Sequence, residues 1–329
     1  VTAVQPNNGS FTFHCNRDTF INNCSSPCLS NLKVVIPNVH TSTADYVINP
    51  LSASSCYQPY TQTSTPGMTA NLTSDDTYSG VINLPFNFSF YGATYNKLII
   101  STNGYISFDV SQAGQFSHFG ILNDAGFLSG TTGTPLNLPS TLYDRALIMG
   151  PYHDLYPSNF ANPAPPADMR IKYEVLGTPP YRRFIYSSHH VPLYRCNSLT
   201  DNYHQIVLYE TLGIIEVFVG GLDVCTTWNE GRKMIGLQNF NRDKGIMAPG
   251  RSASTWPLPP LAQPSNESWR FVPKAGPTAY VDSVELFDLQ NNLVARSGDT
   301  LSLPNGDLSV KFSSICLTNI TSDITKLII

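Results

Sequence analysis

The sequence predicts an all-β protein, on three observations. Its 25 prolines and 22 glycines recur so often along 329 residues that few stretches leave room for three helical turns. Apolar residues show no sustained 3.6-residue period. Short runs rich in Val, Ile, Phe and Tyr instead alternate with clusters of Asn, Gly, Ser and Pro, the pattern of strands and tight turns. At 41% hydrophobic residues the chain can bury a sizeable core. No fixed short repeat is present, which argues against a propeller or solenoid.

Taken in order, residues 1–74 are expected to form a cysteine-containing N-terminal β region packed on the main domain. Cys15, Cys24, Cys28 and Cys56 lie there among Pro, Ser and Asn, and disulfides are expected to pin it. A Zn site from the same four is the alternative, but paired CxxC knuckles are missing. Seven cysteines leave one thiol free or paired between chains, and Cys316 could reach back to the N-terminal group.

Residues 75–275 read as the main domain. In "INLPFNFSFYG" Phe86, Phe88 and Phe90 fall on one side of a strand that Gly92 ends. In "NKLIISTNGYISFD" a type I′ turn at Asn103-Gly104 would pair Ile100 with Ser107 and Ile99 with Phe108. That register puts Ile99, Ile106 and Phe108 on a core face, and Ile100, Thr102, Tyr105 and Asp109 on a half-apolar face under a loop. Further on, Ile206 to Tyr209 pair with Ile214 to Phe218 through a turn at Thr211-Leu212-Gly213, with Glu210 and Glu216 pointing outward. Cys196 and Cys225 flank this hairpin, and a bridge between them would contribute about 3 kcal/mol by restricting the unfolded chain. "MIGLQNF" adds a strand, and a Pro-rich excursion ends in another at Trp269 to Val272.

After a boundary near Gly276, residues 276–329 hold about four short strands at the spacing of a small Ig-like sandwich. The closing "ITKLII" (Ile324, Leu327, Ile328, Ile329) lacks a following turn and is a candidate for strand addition to another sheet.

Composition narrows the function. Nineteen basic and 23 acidic residues give a net charge of −4, which offers no basis for nucleic-acid or anionic-membrane binding. A surface built on Asn, Ser and Thr with few charges is that of an extracellular β-protein. No apolar run approaches the roughly 18 residues of a membrane helix. The start at Val1, with no Met or apolar leader, fits a mature chain after signal-peptide removal or an excised fragment.

The segments "LPFNFSFYGATYNKLIISTNGYISFD", "ALIMGPYHDL", "HQIVLYETLGIIEVFVGG" and "GRKMIGLQN" together resemble the nidogen-like domain, from about Asp75 to Asn239. "CNRDTFINNCSSPCLSNLKVVIP" and "NESWRFVP" extend the likeness to large surface proteins of gliding Bacteroidota. The resemblance implies a large extracellular β-sandwich for adhesion or surface display, exported by the type IX route, with no catalytic residues. Ser283 and Thr300 lie in Asp-Ser/Thr-aliphatic triplets that resemble the O-glycosylation pattern of that phylum.

Candidate chemistry is sparse. His153 and Asp154 could ligate a metal or move a proton. In that pair the Asp more often orders a loop by bonding its own backbone, and Asp75, Asp76 and Asp109 could join Asp154 in a Ca2+ site, although no EF-hand or Asp-rich repeat supports one. His189 and His190 in one strand would point to opposite faces and could not share an ion. Arg182 and Arg183 form a similar split pair, read as a solvated edge. Tyr152, Tyr156, Phe160, Trp228 and Trp256 lie in loops, where aromatic faces either stack on sugar rings or plug the sandwich ends. No HExxH, GxSxG, Walker or GxGxxG motif occurs. The expectation is a non-enzymatic cell-surface adhesin or structural module that binds a surface glycan or protein. Alternatives are a filament subunit assembled from copies of itself, and a carbohydrate-binding module; a hydrolase is disfavoured. No cofactor is expected other than Ca2+.

Overall fold

A computed structural model of the chain describes residues 45–51, 68–69, 72–123, 126–127, 134–158, 164–177, 179, 182–210, 212–256 and 267–274. It also describes strand segments 19–20, 29–31, 283–288, 293–296, 300–302, 307–313 and 325–328. The chain divides into two units, residues 40–276 and residues 1–39 with 277–329. The expected N-terminal region, 1–74, is therefore shared between them. The regular secondary structure of the described residues is β apart from two 3-10 turns, and among them no helix is long and apolar enough to cross a membrane.

The smaller unit begins with β1 (Thr19–Phe20) and β2 (Leu29–Asn31). The main unit follows with β3 (Tyr46–Leu51), β4 (Met68–Thr69), β5 (Ile82–Phe90), β6 (Ala93–Ile100) and β7 (Tyr105–Ser107). Next come the short pair β8 (Leu122–Asn123) and β9 (Gly126–Phe127), then β10 (Leu147–Tyr152), β11 (Arg170–Leu176) and β12 (Arg183–His189). It closes with β13 (Tyr203–Tyr209), β14 (Ile215–Gly221), β15 (Met234–Gln238), β16 (Gly245–Met247) and β17 (Glu267–Pro273). The smaller unit resumes with β18 (Ser283–Asp288), β19 (Leu293–Arg296), β20 (Thr300–Ser302), β21 (Asp307–Ser313) and β22 (Thr325–Ile328).

The main unit is a sandwich of a six-stranded sheet, order β16-β15-β10-β7-β6-β5, and a seven-stranded sheet, order β3-β17-β14-β13-β12-β11-β4. Strand β5 shows why the layers meet. Ile82, Leu84, Phe86, Phe88 and Phe90 are buried while Asn83, Pro85 and Asn87 between them are exposed, the two-residue period of a half-buried strand. These side chains share one core with Leu98, Ile100, Ile106, Phe108 and Ile148 of their own layer and with Phe184, Tyr186, Ile206, Leu208, Val217 and Phe271 of the other. Each fully buried large side chain contributes roughly 1.5–3 kcal/mol. At Gly150 the two layers approach closely. A methyl group there would lie 2.9 Å from Val217 and 3.1 Å from Ile206, so no larger residue fits.

The β6–β7 hairpin departs from the expected register. Ile99 pairs with Ser107 and Ile100 with Ile106, and Ser101 N–H donates to Tyr105 O, so Thr102, Asn103 and Gly104 form a three-residue loop. Ile100, Ile106 and Phe108 therefore share the inter-sheet core, while Ile99 and Tyr105 face the other way into a second apolar cluster with Leu147, Met149 and Tyr152. One added loop residue turns β6 over relative to β7, so Ile100 rather than Ile99 joins Ile106 and Phe108.

In the smaller unit the sheet order is β1-β22-β21-β18-β19, and β2 pairs with β20. The "ITKLII" segment is paired within the chain: Thr325 to Ile328 pair with Asp307 to Val310 on one side, and Leu327 and Ile328 pair with Thr19 and Phe20 on the other. Ile324 and Ile329 lie outside the described residues.

Candidate functional site

Strand β10 carries a bulge between Met149 and Tyr152 against β15, and this irregularity re-aims the residues that follow. Tyr152 is fully buried in the second apolar cluster, and its hydroxyl donates to Gly120 O at 2.7 Å. His153 is also buried, its Nδ1 2.9 Å from Pro151 O. Asp154 reaches a polar cluster at one end of the sandwich, where Trp228 Nε1 donates to its Oδ2 at 2.5 Å. His153 and Asp154 thus engage different partners and form no acid/base pair.

The β6–β7 loop organises this cluster. Buried Asn103 donates from Nδ2 to Asp76 Oδ1 at 2.9 Å and to His118 O at 3.1 Å, and its Oδ1 accepts from Leu155 N–H at 3.0 Å. One amide ties three loops together. Gly104 has φ of +81°, and a Cβ there would lie 2.2 Å from Pro151 O, so the hairpin can seat against β10 only with glycine at this position.

Carboxylate oxygens of Asp75, Asp76 and Asp154 lie within 4.8 Å of one another. Burial pushes Asp154 up to about 8, with repulsion from Asp76 adding to it and the Trp228 bond opposing it. Burial and then Asp76 push Asp75 up to about 7, and Asp76 is raised by burial against the Asn103 bond. Asp75 Oδ1 is buried without a hydrogen-bond partner. Three converging carboxylates are a donor set for a hard cation such as Ca2+. Asp109 is not among them. It caps a 3-10 turn, accepting from Ser111 N–H and Oγ at 3.2 and 2.7 Å.

Half-buried aromatic rings surround Asp154. Tyr194 packs edge-on against Trp228 at 5.2 Å and against Tyr156 at 5.6 Å, and Phe119 stacks on Trp228 at 6.4 Å. The exposed Arg195 guanidinium lies 4.5 Å over Trp228. The disulfide Cys196–Cys225, with Cα atoms 5.8 Å apart, joins the loop of Tyr194 and Arg195 to the loop of Trp228. Sequence reasoning placed Tyr156 and Trp228 but missed Tyr194, Arg195, Phe119 and the structural part of Asn103. The adjacency of Tyr194 and Arg195 to Cys196 was the available signal. Trp256 is buried, with Arg251 at 4.9 Å over its ring, and serves as a plug.

Other expectations fare differently. Glu216 does not point to solvent: it is buried and paired with Arg270. Arg182 is bound to Glu210 through Nε at 2.8 Å and a terminal nitrogen at 2.6 Å, with its guanidinium over Phe86, so it is not a solvated edge. His189 and His190 do not diverge. The strand ends at His189, His190 takes φ of +50°, and the two rings stack at 4.0 Å with both reaching Asp168 Oδ2. Burial lowers His189 from its ordinary value, and the bond from His190 lowers Asp168. Cys15, Cys24, Cys28, Cys56, Cys316 and Phe160 lie outside the described residues, as do the side chains of Ser283 and Thr300.

A family model described as NIDO related matches residues 50–258. No curated protein and no solved structure matches the chain.

Proposed function

The chain belongs to the nidogen-related family, and from that premise we propose that it is a non-enzymatic extracellular adhesion module whose acidic and aromatic end binds a surface glycan. The observation that carries this reading is the placement of Asp75, Asp76 and Asp154 beside the half-exposed rings of Tyr156, Tyr194 and Trp228. Aromatic faces stack on the apolar faces of sugar rings, and carboxylates accept from sugar hydroxyls. A Ca2+ ion among the three carboxylates would neutralise their repulsion and offer further coordination to sugar oxygens. Cys196–Cys225 holds two of the aromatic loops in place before a ligand arrives, which lowers the ordering cost of binding.

The likeness to gliding Bacteroidota surface proteins supports display on a bacterial envelope after type IX export. Fractionation of the native host, with the chain absent from the envelope, would refute that location.

A glycan array with and without Ca2+ tests the binding reading. Binding that falls at least about tenfold in Trp228→Ala and Tyr194→Ala, in variants that retain wild-type unfolding midpoints, supports it. Absence of glycan binding, or binding indifferent to both changes, rejects it. Saturable capture of one defined protein through the same residues would identify the protein-ligand form of adhesion instead.

A further inference from the structure

A second group of converging donors lies at the open end of the β11–β12 pair, beside the start of β11 and the end of β12. We propose that Asp168, His189 and His190 form a binding site for a borderline divalent cation of the Zn2+ class, a site separate from the three carboxylates around Asp154. His189 Nε2 lies 3.1 Å and His190 Nδ1 2.9 Å from the same oxygen, Asp168 Oδ2. A tetrahedral ion with bonds of about 2.0–2.1 Å holds adjacent ligand atoms about 3.3 Å apart. Both nitrogen–oxygen separations are within a few tenths of an ångström of that spacing, so small shifts of the exposed carboxylate open the space for an ion.

The backbone builds this convergence from several directions. His189 pairs with Arg170 on β11, which brings Asp168, two residues upstream, alongside. The left-handed turn at His190 folds its ring back onto that of His189 instead of to the opposite face. Tyr203, paired with His189 on β13, supports both rings, at 6.1 and 5.9 Å. Side-chain exposures of 37% for Asp168, 17% for His189 and 34% for His190 leave a remaining coordination position open to water. Two imidazoles and one carboxylate favour Zn2+, Co2+, Ni2+ or Cu2+ over Ca2+ and Mg2+, which prefer all-oxygen shells. Bound there, an ion would fasten the turn before β11 to the end of β12.

Co2+ is the probe of choice for the full chain, because its visible ligand-field bands report nitrogen and oxygen ligands, whereas cysteine ligation adds intense near-ultraviolet charge transfer. The expected result is one saturable equivalent of the nitrogen/oxygen type, displaced by Zn2+, with affinity at least about tenfold lower in Asp168→Asn and in His190→Gly. Glycine tolerates the left-handed backbone at 190, so the second variant removes the ligand without straining the turn. Unchanged spectra and affinity in both variants, a purely thiolate spectrum, or no saturable binding would overturn the site.

Discussion

Glu216 on β14 and Arg270 on β17 stand directly opposite each other on neighbouring strands and form an ion pair at 2.6 Å, with 0% and 2% of their side-chain surfaces exposed. The hydroxyl of Tyr209 donates to the other carboxylate oxygen at 2.5 Å, so both ends of the acid are engaged. Removing one partner strands a charge in the interior, at a cost of about 3–5 kcal/mol. Glu216→Leu and Arg270→Met are each expected to lower the unfolding free energy by that amount in guanidinium titrations. The double change Glu216→Leu with Arg270→Met is expected to recover most of the loss, because no charge is then left unpaired. Additive losses would show the two residues to be independent.

Gly104→Ala is expected to destabilise the main unit by more than Gly114→Ala. Both glycines have positive φ, so both substitutions carry about 1–2 kcal/mol of backbone strain. Among the described residues nothing lies within 4 Å of a Cβ added at Gly114, whereas at Gly104 the new methyl overlaps Pro151 O and must displace the hairpin from β10. Parallel thermal unfolding of the two variants checks this, and equal losses would contradict the close approach.

Asp154 gives the folded state a proton that the unfolded chain releases. Its folded value is about 8 against an ordinary 3.8, so between those values the folded state binds more protons and stability falls as pH rises. The contribution is complete below about 4 and gone above about 8, and Asp75, raised to about 7, acts in the same sense. Asp154→Asn is expected to flatten the slope across this window in urea titrations. Ca2+ is expected to raise wild-type stability most at pH 8 and the variant's least. A variant slope equal to that of the wild type would rule out this linkage.

His204 acts with the opposite sign. It is fully buried with both ring nitrogens unpartnered, and burial pushes it down to about 3. Between about 3 and 6.5 the unfolded chain takes a proton that the folded chain refuses, so stability is lost on acidification. His204→Phe is expected to resist acid better than the wild type over that range, measured by fluorescence-detected unfolding at fixed pH steps. Lys233, lowered by burial to about 7, adds a rise in stability between 7 and its ordinary 10.5.

The sandwich was readable because its strands carry their own period: the phenylalanines of β5 alternate with exposed residues, and the alternation alone orients the strand. What the sequence hid depended on partners distant along the chain or on one backbone angle. Glu216 reads as a solvent residue within "IIEVFV", since the arginine that neutralises it lies 54 residues further on. Asn103-Gly104 marked the hairpin, but Thr102 joined the loop and shifted the register by one. His190 escaped because a strand was assumed to continue through it, and a left-handed φ ended it. Around Asp154, three of the four proposed carboxylates converge because Asn103 binds Asp76 and the bulge in β10 redirects residue 154. Neither feature has a local signature.

Gly150 has a thermodynamic consequence for recognition. Because the missing side chain lets Val217 and Ile206 rest against the backbone of β10, the segment Pro151 to Asp154 springs from a tightly packed seam between the layers. A loop rooted there has few alternative poses to relinquish. A partner docking there would meet a surface already in its final outline, and association would cost little configurational entropy.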